Sequence, residues 1–154
     1  MSYRYWIAVA LLGSITGCAA PRPSQADAGA APACSDQLPK KGVSRVYVDI
    51  DLSAGTPVAS APLCVVRSGT EVVWRTRKDE LVAFELDFAE SPGRAINLSR
   101  ALRTMADTRF HSSRSGDRQQ LAITTRQVTQ ETLISYDIRT SAGGVDPGIK
   151  IVPQ

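Results

Sequence analysis

Residues 45–52 read Arg-Val-Tyr-Val-Asp-Ile-Asp-Leu. In an extended chain Val46, Val48, Ile50 and Leu52 fall on one side, and Tyr47, Asp49 and Asp51 on the other. A period of two marks a strand with one face in a core and one in water. The same alternation returns at Val82, Phe84, Leu86 and Phe88, at Leu121 and Ile123, at Ile134, Tyr136 and Ile138, and at Ile149 and Ile151. Leu63–Val66 is a short apolar run closed by Ser68-Gly69, and Glu71–Arg75 follows at once. Ser91-Pro92-Gly93, Gly143-Gly144 and Asp146-Pro147 are further breaks. About seven short strands with such punctuation predict an all-β protein, an antiparallel Greek-key β-sandwich. Trp74 has the bulk to fill the space between two sheets. One stretch departs from the pattern. Leu98, Leu102 and Met105 stand at i, i+4 and i+7, which predicts one short helical insertion near 95–108.

A chain of 154 residues suits one domain. Its composition is 43% hydrophobic, 21% charged and 6% aromatic, which is neither disordered nor fibrous. A net charge of +3 is too mild for a nucleic-acid binder, so no nucleic-acid partner is expected. The single histidine, His111, excludes most zinc sites and any two-histidine copper site.

The N-terminus carries one cation, Arg4, then an apolar run from Ile7 to Ile15, then Thr16-Gly17-Cys18. That run suits a secretory signal and is too short to span a bilayer. Ile15-Thr16-Gly17-Cys18 resembles the lipobox of bacterial lipoproteins. The resemblance implies a signal peptide over 1–17, cleaved by signal peptidase II, and lipidation of Cys18 by a thioether-linked diacylglycerol and an N-acyl chain. The lipid bilayer is then a partner through that anchor. Ala19, where inner-membrane retention would place Asp, implies the periplasmic face of the outer membrane in a Gram-negative cell. The alternative is an ordinary secretory signal with a coincidental cysteine. Residues 18–33 hold the acylated cysteine and an Ala/Pro-rich linker, AAPRPSQADAGAAPA, with no large apolar side chain. At about 3.1 Å per residue it reaches at most ~45 Å. The β-sandwich domain is expected over 34–154.

With Cys18 acylated, Cys34 and Cys64 remain, and an oxidising compartment favours a disulfide between them. Free thiols are the alternative. No CxxC spacing points to redox or thiolate-metal chemistry.

Two segments, Ser68-Gly69-Thr70-Glu71-Val72-Val73-Trp74 and Tyr136 through Gly143-Gly144-Val145-Asp146-Pro147-Gly148-Ile149-Lys150-Ile151-Val152-Pro153, resemble bacterial cupredoxin-like domains. They cover about a sixth of the chain. The resemblance implies a cupredoxin-like sandwich; an immunoglobulin-like one shares the same features. A blue-copper centre takes two histidines, a cysteine and usually an axial methionine. No Cys or His follows Tyr136, so no metal or other cofactor is expected.

Remaining polar groups offer weaker signals. Asp49 with Asp51, and Glu85 with Asp87, are paired carboxylates of the kind used by glycosidases or calcium sites, and equally of any strand facing water. His111 lies near Ser112, Ser113 and Asp117, without the elbow of a hydrolase triad. Arg94, Arg100, Arg103, Arg109, Arg114 and Arg118 crowd into 25 residues and suggest a patch for an anionic glycan, lipid or envelope protein. No catalytic residue is assigned. The expected function is a membrane-anchored periplasmic lipoprotein serving as a non-catalytic binding or envelope-assembly module. The alternatives are a cell-wall hydrolase or its inhibitor, and a degenerate cupredoxin-like metal-binding protein.

Overall fold

A computed structural model describes residues 31–88, the backbone of 96–97, and residues 108–154. Every regular element among them is a strand. In chain order they are β1 (Arg45–Asp51), β2 (Val58–Ala59), β3 (Leu63–Arg67), β4 (Glu71–Thr76), β5 (Glu85–Phe88) and β6 (Ile96–Asn97). Then follow β7 (Arg109–His111), β8 (Ser113–Ser115), β9 (Arg118–Thr125), β10 (Thr132–Thr140), β11 (Gly143–Val145) and β12 (Gly148–Val152). The first sheet runs β2-β1-β4-β9-β6, with β8 also on β9. The second runs β3-β12-β10-β5-β7, with β11 also on β10.

The all-β sandwich read from the sequence is present, but its sheets are mixed. β1 pairs with β4 in parallel, and β12 with β3 in parallel. The chain's path explains the first case. After β1 it crosses to the second sheet for β3 and returns as β4 at the end where β1 began. Of the helix expected near 95–108, Ile96 and Asn97 instead form strand β6, antiparallel to Thr125 and Thr124. Leu98, Leu102 and Met105 lie outside the described residues, as do residues 1–30, with Cys18 and most of the linker. The last linker residues are already tied to the domain. Tyr47 donates its N–H to the Pro32 carbonyl at 3.0 Å, and Cys34 donates to Tyr47 O at 2.7 Å.

The strand alternation is reproduced in burial, except at Val82, which lies before β5 and is exposed. Val46, Val48 and Ile50 of β1 are buried, as are Val72 and Trp74 of β4, Leu121 and Ile123 of β9, and Tyr136 and Ile138 of β10. Trp74, wholly buried, donates its indole Nε1–H to the Tyr136 hydroxyl at 2.8 Å, from one sheet to the other. Their rings meet edge to face, centroids 5.4 Å apart. Phe88 stacks beside Tyr136 at 5.5 Å and meets Phe110 at 5.5 Å, which extends the aromatic row into the second sheet. Burial pushes the Tyr136 phenol far above its usual pKa, so it stays neutral and remains an acceptor for the indole.

Cys34 and Cys64 form a disulfide, with Cα atoms 5.3 Å apart. It joins the segment lying along β1 to β3 in the opposite sheet, so a covalent clasp spans the two layers.

Three stability measurements follow from this core. Tyr136→Phe leaves the Trp74 N–H buried without an acceptor and is expected to lower unfolding free energy by about 1–3 kcal/mol. Trp74→Ala is expected to cost about 3–5 kcal/mol. Opening the disulfide, which closes a loop of 30 residues, is expected to remove about 3.5 kcal/mol. Urea midpoints with and without reductant check all three; an unshifted midpoint for Tyr136→Phe would show that the cross-sheet bond contributes nothing.

Candidate functional site: charged sheet faces and a basic cleft

The outer face of the first sheet is a ladder of cross-strand ion pairs. The parallel register sets Arg45 opposite Glu71 and Asp49 opposite Arg75. Arg45 pairs with Glu71, Arg75 Nε lies 2.5 Å from Asp49 Oδ1, and Arg77 Nη2 lies 2.5 Å from Asp51 Oδ2. The Arg75 guanidinium also sits 3.8 Å above the Tyr47 ring. Asp51 is held below the ordinary carboxylate range, first by the Ser53 N–H and then by Arg77. Asp49 and Asp51 are therefore each matched with an arginine rather than with one another.

Three strands of the second sheet build a denser cluster. Antiparallel pairing aligns Arg139, Glu85 and His111 in one row, and Asp137, Asp87 and Arg109 in the next. Asp87 is 9% exposed and touches Arg109 Nε at 3.3 Å and Arg139 Nη2 at 3.1 Å. The same Arg139 nitrogen is 2.6 Å from Asp137. Glu85 meets His111 Nδ1 at 3.3 Å. Asp137 is held low, chiefly by the hydrogen bond from Arg139. Asp146, in the bend before β12, is pushed up, first by its hydrogen bond to Asp137 and then by the repulsion between the two carboxylates.

No triad forms around His111. The Ser112 hydroxyl accepts the Phe84 N–H at 2.9 Å, and Asp117 pairs with Arg118 at 3.1 Å. Of the six clustered arginines, Arg94, Arg100 and Arg103 lie outside the described residues. The other three divide between the sheets. Arg109 of β7 serves Asp87 in the second sheet, whereas Arg114 of β8 and Arg118 of β9 belong to the first. Arg114 Nε donates to the Gly116 carbonyl at 3.2 Å. Among the described residues no three His, Cys, Asp or Glu side chains converge as a metal site.

A different place was not singled out from the sequence. At one end of the sandwich lies an open cleft of about 430 Å³, and Lys41, Ser44, Arg67, Thr70 and Gln154 are among the residues lining it. Two tight turns shape it. In Lys40–Val43 the Val43 N–H bonds to Lys40 O at 3.3 Å, and in Arg67–Thr70 the Thr70 N–H bonds to Arg67 O at 3.1 Å. Gly42 (φ 90°) and Gly69 (φ 81°) occupy the third positions. A type II turn needs positive φ there, which glycine adopts without strain. A Cβ on Gly69 would also press to 3.3 Å of the Gln154 side chain.

The second turn carries the chain from one sheet to the other and is tied on every side. Ser68 N–H bonds to Val152 O at 2.9 Å, Gly69 N–H to Thr125 O at 3.1 Å, and Glu71 N–H to Ser44 O at 2.8 Å. The Ser68 hydroxyl accepts the Val128 N–H at 3.1 Å, and Gln154 Nε2 donates to Ser68 O at 2.8 Å. The buried Thr125 hydroxyl lies 3.0 Å from Thr70 O and 3.2 Å from Arg67 O. Among the described residues neither Lys41 nor Arg67 forms an ion pair. Arg67 Nε is shut away from solvent with no acceptor among the described residues. The sequence signals were the two Lys/Arg-x-Gly turns; nothing in the sequence showed that they would meet.

The carboxyl pair makes a pH prediction. A raised pKa on Asp146 means that the folded state favours its protonated form. Its contribution to stability is present below the ordinary carboxylate value of ~3.9 and is lost as pH rises through the raised value. Asp146→Asn, which still donates to Asp137, is expected to raise the thermal midpoint at pH 7 and to leave it unchanged near pH 3. An equal shift at both pH values would refute the carboxyl pairing.

No family model matches the chain, and no curated protein matches it. Among solved structures, an oxidised amicyanin carrying a proline-to-glycine substitution is similar at 13% identity, with a TM-score of 0.36, over 70% of this chain and 82% of the amicyanin.

Proposed function

We propose that the chain is a lipid-anchored lipoprotein of the bacterial envelope, held by Cys18 to the periplasmic face of the outer membrane. Its sandwich serves there as a non-catalytic binding or assembly module. One contrast carries the binding role. Carboxylates suited to hydrolysis, Asp49, Asp51 and Asp87, are matched by arginines, whereas the cleft holds cations without carboxylate partners among the described residues. A hydrolytic acid must exchange its proton freely near a substrate, and a bound arginine opposes that. The Cys34–Cys64 disulfide supports an oxidising compartment. It also closes the domain at Cys34, the first residue after the linker, so the tether would deliver its load straight to a stapled body.

We read the frame as cupredoxin-like without a copper centre. The two segments that carried the resemblance form the β3–β4 turn with β4, and β10 through β12. The donor set does not fit the metal: residues 137–154 hold no His, Cys or Met, and Cys34 and Cys64 are joined.

The expected results are direct. Mass spectrometry of the native product shows residues 1–17 removed and Cys18 carrying acyl chains, and Cys18→Ser releases the protein from the outer-membrane fraction. An unmodified Cys18 in membrane-bound protein would end the anchor reading. Envelope pull-down recovers a specific partner, and peptidoglycan release is the same for the chain and for its Asp49→Ala, Asp51→Ala, Glu85→Ala, Asp87→Ala quadruple variant. Turnover that disappears in the variant would establish the hydrolase instead.

A further inference from the structure

We infer that the cleft beside the β3–β4 turn binds the oxyanion of a small phosphate- or carboxylate-bearing molecule, with Arg67 as its anchor. This rests on the binding-module reading and names the ligand chemistry for it. A volume of about 430 Å³ suits a small-molecule group. Two like charges, Lys41 and Arg67, border it with no carboxylate on either among the described residues. The backbone of the turn has no donors left to offer, because the N–H groups of Ser68, Gly69, Thr70 and Glu71 are all bonded. Recognition therefore falls to side chains.

Arg67 supplies the specific signal. A guanidinium presents five N–H donors in a plane, a fork that matches two oxygens of a phosphate or carboxylate. Its Nε is closed to solvent without an acceptor among the described residues, so contact with an oxyanion in the cleft falls to the terminal nitrogens of the guanidinium. Ser44 and Thr70 are among the residues that line the same space. Lys41 brings a second charge from the neighbouring turn. The nearest acid in sequence, Glu71, is engaged by Arg45 on the outer face of the first sheet. The main chain beneath Arg67 is fixed on both sides, since β3 pairs with β12 up to Arg67 opposite Val152 and Thr125 holds the turn. Little ordering is then needed when the ligand arrives.

The test is a titration of the full ¹⁵N-labelled chain in detergent with inorganic phosphate, glycerol phosphate and acetate, each separately, at low ionic strength. Saturable shifts of the Gly42, Gly69 and Thr70 amides are expected. Arg67→Gln is expected to weaken binding roughly tenfold to a hundredfold, the range for a lost charged hydrogen bond. Arg67→Lys, which keeps charge without the fork, should fall between, and Arg114→Gln should bind as the unaltered chain does. Tightest binding of glycerol phosphate assigns the site to a phospholipid headgroup, and tightest binding of inorganic phosphate or acetate to a soluble ligand. Should Arg67→Gln not fold, Lys41→Gln decides, and full binding in it overturns the proposal. So does the absence of saturable shifts, or equal weakening by Arg114→Gln. A pulled-down partner indifferent to Arg67, with no anion bound, removes the oxyanion claim and leaves the binding module standing.

Discussion

The hydrogen bond from Trp74 to Tyr136 is where the two sheets become one object. Two antiparallel or mixed layers packed only by aliphatic side chains can slide, because apolar contact has no direction. An indole N–H buried between them must find an acceptor, and the Tyr136 hydroxyl of the second sheet supplies it. The bond therefore fixes the relative placement of β4 and β10, and Phe88 and Phe110 fill in behind it. From β4 the register passes to β1 and β9, and from β10 to β5 and β12. The disulfide repeats this constraint at the margin, where Cys34 beside β1 meets Cys64 on β3.

Register set in the interior decides the chemistry outside. Because β1 and β4 run parallel, residues 26 apart in sequence share a row, and Asp49 meets Arg75 just as Arg45 meets Glu71. Each exposed pair contributes only about 0.2–1 kcal/mol. Their effect is to leave the sheet face nearly neutral and its carboxylates occupied. The second sheet does the same with less success. Arg139 stands between Asp87 and Asp137, yet Asp146 adds a further acid, and the strain of that excess appears as its raised affinity for a proton.

Much of the fold was legible because it depends on near neighbours in sequence. Val46, Val48 and Ile50 needed only a period of two to declare which side was buried, and Trp74 needed only its size. Ser68-Gly69 declared a turn through the torsion it requires. What depended on the chain's return path was hidden. Nothing local in Glu71–Thr76 says that it will lie parallel to β1, so the partners of Asp49 and Asp51 could not be named. Ile96 and Asn97 lay in a stretch of helical spacing, but the open edge of β9 at Thr124 and Thr125 took them as a strand. The arginines were grouped by sequence distance, whereas Arg109 and Arg114 fall on different sheets because the chain changes layer between β7 and β8. The cleft combines residues from 41–44, 67–70 and 154, and proximity of that kind is a property of topology alone.

The position of the cleft follows from the same crossing. A sandwich must carry its chain from one sheet to the other at its ends, and each crossing interrupts both ladders. At the β3–β4 turn the interruption is closed by Thr125, Ser68 and Gln154, which satisfy the backbone with side chains where strands no longer can. That leaves a rigid rim whose outward-reaching groups are under no obligation to the fold. On the sheet faces Arg45, Arg75, Arg109 and Arg139 each have an acid opposite them because a neighbouring strand is there to provide one. At the rim no strand lies beyond, so a cation such as Arg67 can be held in fixed geometry and still lack an internal partner. The layers neutralise most of their own charges, and the binding proposed for the end of the sandwich would draw on the charge of Lys41 and Arg67 left there.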